Sequence, residues 1–123
     1  MNAFQLAQSP NREYAEATIE DGSIITHSGS DKQTVIGGYN TGIAEANRLA
    51  AEVGFSFRNF SFATHAEAKL LGILNYTKGG FRPIGVSRPM CYDCQQFFQA
   101  VADRKGVTLT VADPEAIHVF RPK

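Results

Sequence analysis

The sequence predicts an α/β fold with helices packed against a sheet, and three observations carry that reading. Alternating, extended segments lie near both ends of the chain, segments of helical spacing lie between them, and Asp-Gly and Gly positions punctuate the two kinds. The hydrophobic share, 43% of 123 residues with nine Phe and four Tyr, is enough to bury a core without staples. That length suits one compact domain, expected over residues 13–123. Residues 1–12, polar and containing Ser9-Pro10-Asn11, read as a linker or frayed terminus.

The elements follow in order. Tyr14 to Glu20 alternates, Asp21-Gly22 turns, and Ser23 to His27 resumes extended character, which is a hairpin pattern closed by a loop at Ser28-Gly29-Ser30-Asp31. Gly37 to Gly42 is a connector in which Thr41 is a candidate cap. A helix is expected over Ile43 to Val53, with Gly54 as its stop. Phe55, Phe57, Phe60 and Phe62 form an aromatic segment of mainly core character. Thr64 with Glu67 three residues on matches the capping box, so a helix is expected over Thr64 to Tyr76. A strand over Pro83 to Ser87, a helix over Cys91 to Arg104 with Phe97, Phe98 and Val101 inward, a strand over Val107 to Val111 and a short strand over Ile117 to Phe120 complete the chain.

Lys plus Arg and Asp plus Glu stand at 12 each, so charge alone points to neither nucleic acid nor membrane. A local basic channel remains open, because Arg82, Arg88, Arg104, Lys105, Arg121 and Lys123 all lie in the C-terminal half. No apolar run approaches the roughly 20 residues that span a bilayer, and the first 14 residues do not have the pattern of a secretory leader. The two cysteines, Cys91 and Cys94, sit too close in sequence for a usual disulfide staple and read as a metal or redox site in a reducing compartment.

Two segments hold the chemistry: Thr64-His65-Ala66-Glu67 and Pro89-Met90-Cys91-Tyr92-Asp93-Cys94, each at an expected helix N-terminus. Cys91 and Cys94, at i and i+3, share one face of a first turn, where the helix dipole favours thiolate. His65 adds a nitrogen donor. Three protein ligands leave one tetrahedral position open, the arrangement of a catalytic zinc, and Glu67 is placed to move protons for a water at that position. A Cys-x-x-Cys alone reads equally as a redox pair. Such a pair would follow an early strand of a βαβ unit, and the upstream His-x-Glu favours Zn2+ as the cofactor.

His65-Ala66-Glu67 followed by Pro89, Cys91 and Cys94 resembles the signature of zinc nucleobase deaminases. Tyr14 to Ile19, Thr26-His27-Ser28-Gly29, His65 to Leu71 and Ser87 to Cys91 further resemble the deaminase domains of bacterial polymorphic toxins, with likeness from about residue 12 onward. Membership would imply a three-layer fold, a five-stranded mixed sheet flanked by helices, and hydrolytic conversion of cytosine to uracil in nucleic acid. It would also imply a secreted or injected effector domain acting in the cytoplasm of a target cell, and a cognate immunity protein. Proline normally abuts the first cysteine in the superfamily; Met90 intervenes here and would reshape the pocket wall.

Single-stranded DNA is the first-choice partner, with duplex DNA or RNA behind it, and no membrane partner is expected. By the resemblance, Ala66 would offer its N–H to the base carbonyl. His27 and Ser28, ahead of the Ser28-Gly29-Ser30 loop, are candidate substrate contacts, as are Phe60 or Phe62 for stacking, Ser87 and Arg88 for a phosphate, and Tyr92 for a flanking nucleotide. Each has an ordinary structural alternative: strand histidine, core aromatic, solvated arginine, helix cap. Two other functions stay open. One is deamination of free nucleosides or small aminated rings. The other is a non-catalytic zinc module that binds a partner, which would need a fourth protein ligand, with His27 and His118 as the obvious candidates.

Overall fold

The computed structural model describes residues 1–12, 15–29, 35–36 and 42–123, the side chains of Val35, Ile36 and Phe60 excepted. The expectations that fall on Tyr14, Ser30, Asp31, Tyr39, Asn40 and Thr41, and on Phe60 as a stacking ring, lie outside the described residues. The elements are α1 (Ala3–Ala7), β1 (Glu16–Ile19), β2 (Ile25–His27), β3 (Val35–Ile36), α2 (Ile43–Glu52), a 3-10 helix (Phe60–Thr64), α3 (Ala66–Ile73), β4 (Phe81–Val86), α4 (Tyr92–Lys105), β5 (Thr108–Ala112) and β6 (Ile117–Phe120). The fold is α/β, as the alternation of extended and helical segments predicts.

The strands form one sheet in the order β3-β2-β1-β4-β5-β6. All neighbours are antiparallel except β4 and β5, which run parallel with α4 as their crossover. The five-stranded mixed sheet expected is present, and the two-residue β3, opposite Ile25 and Thr26, adds a sixth strand at one edge.

The period-two alternation of the strands divides the molecule into layers. Ala17, Ile84, Val86, Leu109 and Val111 share a buried cluster with residues of α2, α3 and α4, and this is the main core. Fully burying a Leu or Phe of this kind stabilises by roughly 1.5–3 kcal/mol, and Leu70, Leu71, Phe97 and Phe98 are each fully buried there.

Residues 1–12, expected as a linker or frayed terminus, instead begin with α1 on the opposite face of the sheet. Asn2 and Gln5 form a reciprocal capping box, and Ala3, Leu6 and Ala7 are buried. The helix can lie this close because β4 carries Gly85: a Cβ there would stand 2.0 Å from the Ala3 carbonyl oxygen. Five residues could not hold a helix alone; the sheet makes it worthwhile.

α3 is the central helix, with every residue from Ala66 to Gly72 buried. It packs on β1 and β2, on α2 and on α4, so apart from Glu67 and Lys69 its buried residues are apolar or small, and the helical stripe that marks a surface helix is absent. Gly72 permits its closest approach to α2, since a Cβ there would stand 2.4 Å from the Ala46 nitrogen. The capping box expected at Thr64 does not form. Thr64 ends the 3-10 helix and donates its hydroxyl to the Ser61 carbonyl, and His65 is the N-cap of α3, without a side-chain cap bond.

α4 begins one residue after Cys91, which is its N-cap, and stops at Gly106 in the left-handed conformation (φ 63°). Phe97, Phe98 and Val101 face inward as expected. Phe55 and Phe57, ahead of the 3-10 helix, pack their rings on Phe97 at 5.5 and 4.9 Å between centres.

Candidate metal centre

The chain bends into α3 at His65 and into α4 at Cys91, and these two helix N-termini meet. His65 Nδ1 lies 3.5 Å from Cys91 Sγ and 3.4 Å from Cys94 Sγ. One donor atom from each of His65, Cys91 and Cys94 falls within 4.8 Å of the others, so the group could hold a metal ion. His65 and Cys91 are half-buried and Cys94 is buried. Cys91 also caps α4: its sulfur accepts the Cys94 N–H at 3.3 Å. The spacing that would serve a metal is therefore the N-cap to N3 spacing of an ordinary helix cap.

Glu67, in the first turn of α3, is almost fully buried against this group. Its Oε1 accepts the Cys94 thiol at 3.1 Å and stands 3.6 Å from His65 Nδ1. It touches two of the three donors without joining the set that lies within 4.8 Å.

The protonation equilibria of these groups are displaced together. Burial raises the Glu67 carboxyl above the ordinary range. Hydrogen bonding from Cys94 draws the Cys91 thiol down to about 4, with His65 adding to the effect. Cys94 moves up, through its interaction with the Cys91 sulfur and its burial beside Glu67. His65 moves up through its bond to the Cys91 sulfur, helped by the Glu67 charge. The pair thus loses one proton more readily than both. A bound divalent cation deprotonates both, since a coordinating thiol loses its proton outright. One imidazole nitrogen with two thiolates is a borderline-soft donor set that suits zinc.

The two segments singled out in the sequence thus come together in space, and the other candidates are placed as follows. Ala66 is the buried first residue of α3, where N–H groups have no intrahelical partner; its carbonyl accepts the Thr26 hydroxyl at 2.6 Å. Ser28 donates its N–H to the Ala15 carbonyl, and Gly29 donates to the Thr64 carbonyl, so this loop abuts the residue before His65. Phe62 sits edge-on to the His65 ring at 5.4 Å. Tyr92, between the cysteines, is 62% exposed.

His27, Ser87 and Arg88 have structural partners. The His27 ring lies 3.7 Å from Glu16, and its neighbour Thr26 is the one that faces α3. Buried Ser87 closes the end of β4 on β1: its hydroxyl accepts the Glu16 N–H and its own N–H donates to the Glu16 carbonyl, both at 2.9 Å. The Arg88 guanidinium donates to the carbonyls of Pro10 and Arg12, binding the segment after α1 to the loop that leads to Cys91. His118 pairs with Asp113 at 2.7 Å.

Three arrangements were missed in the sequence. Asp113 accepts the Met90 N–H at 3.1 Å as well as the N–H groups of Glu115 and Ala116, and so anchors the residue before Cys91 to the β5–β6 turn. Burial opposes its ionisation, but these donors together hold its carboxyl below the usual range. Lys69 is fully buried, with Nζ donating to the carbonyls of His27 and Gly29 at 2.8 and 2.7 Å. A charge in the otherwise apolar run Ala66 to Leu71 was its available signal. Asp93 receives both the main-chain N–H and Nε of Arg58, a pairing across 35 positions that no local pattern announces.

No protein-family model matches the chain, and no curated protein matches it.

Proposed function

We propose that the protein is a zinc-dependent deaminase that converts cytosine to uracil in nucleic acid, single-stranded DNA before duplex DNA or RNA. The observation that carries this reading is Glu67: a carboxyl with a raised pKa, buried against a three-donor metal group and outside its ligand set. A carboxyl whose pKa is raised by burial keeps a proton more readily than an exposed one, and its place beside the donors suits it to passing protons there. A closed structural site would have a fourth protein ligand instead. Among the described residues His27 and His118, the obvious candidates, pair elsewhere, with Glu16 and Asp113.

His65, Cys91 and Cys94 would hold the zinc, which when bound lowers the pKa of a water to about 7. Glu67 takes a proton from the water that attacks C4 of the cytosine. It delivers that proton to N3, then takes the remaining hydroxyl proton at C4 and passes it to the exocyclic amine, which leaves as ammonia while the water oxygen stays as the uracil carbonyl. Ala66, at the N-terminus of α3, would offer its N–H to the base carbonyl. The resemblance of the zinc segments and the hairpin to polymorphic-toxin deaminases supports placing this activity in an effector that acts in the cytoplasm of a target cell and is neutralised in its producer by an immunity protein.

The test is uracil formation by the zinc-loaded chain from single-stranded DNA, duplex DNA, RNA and free cytidine, beside Glu67→Ala. Zinc content is expected to survive the substitution and uracil formation to fall by at least about 100-fold, within the range of general acid–base contributions. Loss of zinc from Glu67→Ala would make Glu67 a ligand and the site a closed one. Full activity in that variant would remove the proposed proton transfer.

A further inference from the structure

Arg58, Tyr92 and Phe62 border the metal group, and the proton transfers assigned to Glu67 use none of them. Asp93, on the first turn of α4 and almost fully buried, accepts the Arg58 main-chain N–H at 2.9 Å and its Nε as well. This double grip fastens the segment before the 3-10 helix to the turn that carries both cysteines. It also fixes the guanidinium, engaging its Nε and leaving its outer Nη1 and Nη2 edge without a hydrogen bond among the described residues. The Arg58 side chain is 65% exposed. Its guanidinium carbon lies 5.3 Å from the centre of the Tyr92 ring and 5.9 Å from that of Phe62, and Phe62 in turn meets the edge of His65.

The result is a ridge of exposed ring, exposed guanidinium and half-buried ring that runs from solvent to His65. Its chemistry differs from that of Phe55 and Phe57, which are packed against the core. An exposed aromatic face beside a held guanidinium stacks a nucleobase and meets the adjoining phosphate. With a net charge of zero, the chain depends on locally placed cations to hold a polyanion. We infer that the ridge Tyr92–Arg58–Phe62 is the subsite for a nucleotide next to the target base in single-stranded nucleic acid, Tyr92 stacking that nucleotide's base and the free edge of Arg58 meeting the phosphate. This inference rests on the proposed deaminase reading for what lies in the neighbouring pocket.

Binding of a fluorescein-labelled single-stranded DNA oligonucleotide, measured by anisotropy on the zinc-loaded chain in a Glu67→Ala background, tests the ridge without turnover. Tyr92→Ala is expected to weaken binding roughly 5- to 100-fold and Tyr92→Phe to recover most of it, the range of one base–aromatic stack. Arg58→Gln is expected to reduce the slope of log affinity against log salt by about 0.7, the equivalent of one phosphate on a single strand. With Glu67 restored, Tyr92→Ala should lower kcat/KM for the oligonucleotide and leave that for free deoxycytidine unchanged. Unchanged binding in Tyr92→Ala, or equal losses on oligonucleotide and deoxycytidine, would overturn the subsite. A Tyr92-dependent affinity in a chain that forms no uracil would keep the ridge and remove the deaminase.

Discussion

α3 and α4 bring their N-termini to the same point and are built there in opposite ways. α4 caps itself: Cys91 accepts from Cys94, Asp93 lies in the first turn, and Gly106 ends the helix at the other side. α3 has no side-chain cap at His65 and is buried from Ala66 to Gly72, with Glu67 and Lys69 among those buried residues. The helix that supplies the sulfurs thus carries its cap within its own first turn, and Arg58 and Asp113 fasten its start from outside. The helix that supplies the nitrogen and the buried carboxyl is organised by what surrounds it, including Lys69, which bonds it to the end of β2. Order in the first can survive local change, whereas order in the second is a property of the whole core.

The largest effect that would test this contrast is expected at Lys69. Lys69→Met keeps most of the volume but strands the carbonyls of His27 and Gly29. Stranded buried groups cost about 1–3 kcal/mol each, so a loss near 3 kcal/mol is expected in urea unfolding. A loss below about 1 kcal/mol would show that α3 does not depend on that bond to β2.

A smaller effect is expected at Cys91 and separates its two duties. In chelator-treated protein, Cys91→Ala should be about 1 kcal/mol less stable than Cys91→Ser, because serine still caps the helix and alanine does not. Neither variant should retain zinc. Equal stabilities would show that the sulfur acts only as a metal donor.

The smallest effect is expected at Thr64. With no capping box on α3, Thr64→Ala should change stability by no more than about 0.5 kcal/mol. A loss near the usual cap cost of ~1 kcal/mol would restore the box that the sequence pattern suggests.

Much of the α4 side was legible in the sequence for the same reason that it is self-contained. Cys91 and Cys94 are three residues apart, the helix follows with its inward Phe97, Phe98 and Val101, and Gly106 stops it, all within one window. On the α3 side the residues were legible but their setting was not. His65 and Glu67 stood out by type, yet Thr64 was misread as a cap, because a capping box describes an exposed helix start and this start follows a 3-10 turn. α1 was missed because its capping box is short and its stability comes from Gly85 in β4, more than 80 positions away.

By itself the sequence determined the α/β alternation, the turn at Asp21-Gly22 and the identity of the candidate metal donors, because strand period, helix period and ligand spacing are local properties of a chain. Only the tertiary structure decided that His65 reaches the two sulfurs, that Glu67 is buried against two of the donors, and that Arg58 is held by Asp93 between two rings. Those depend on which distant segments the sheet order brings side by side, and on how much water their packing leaves around a charge.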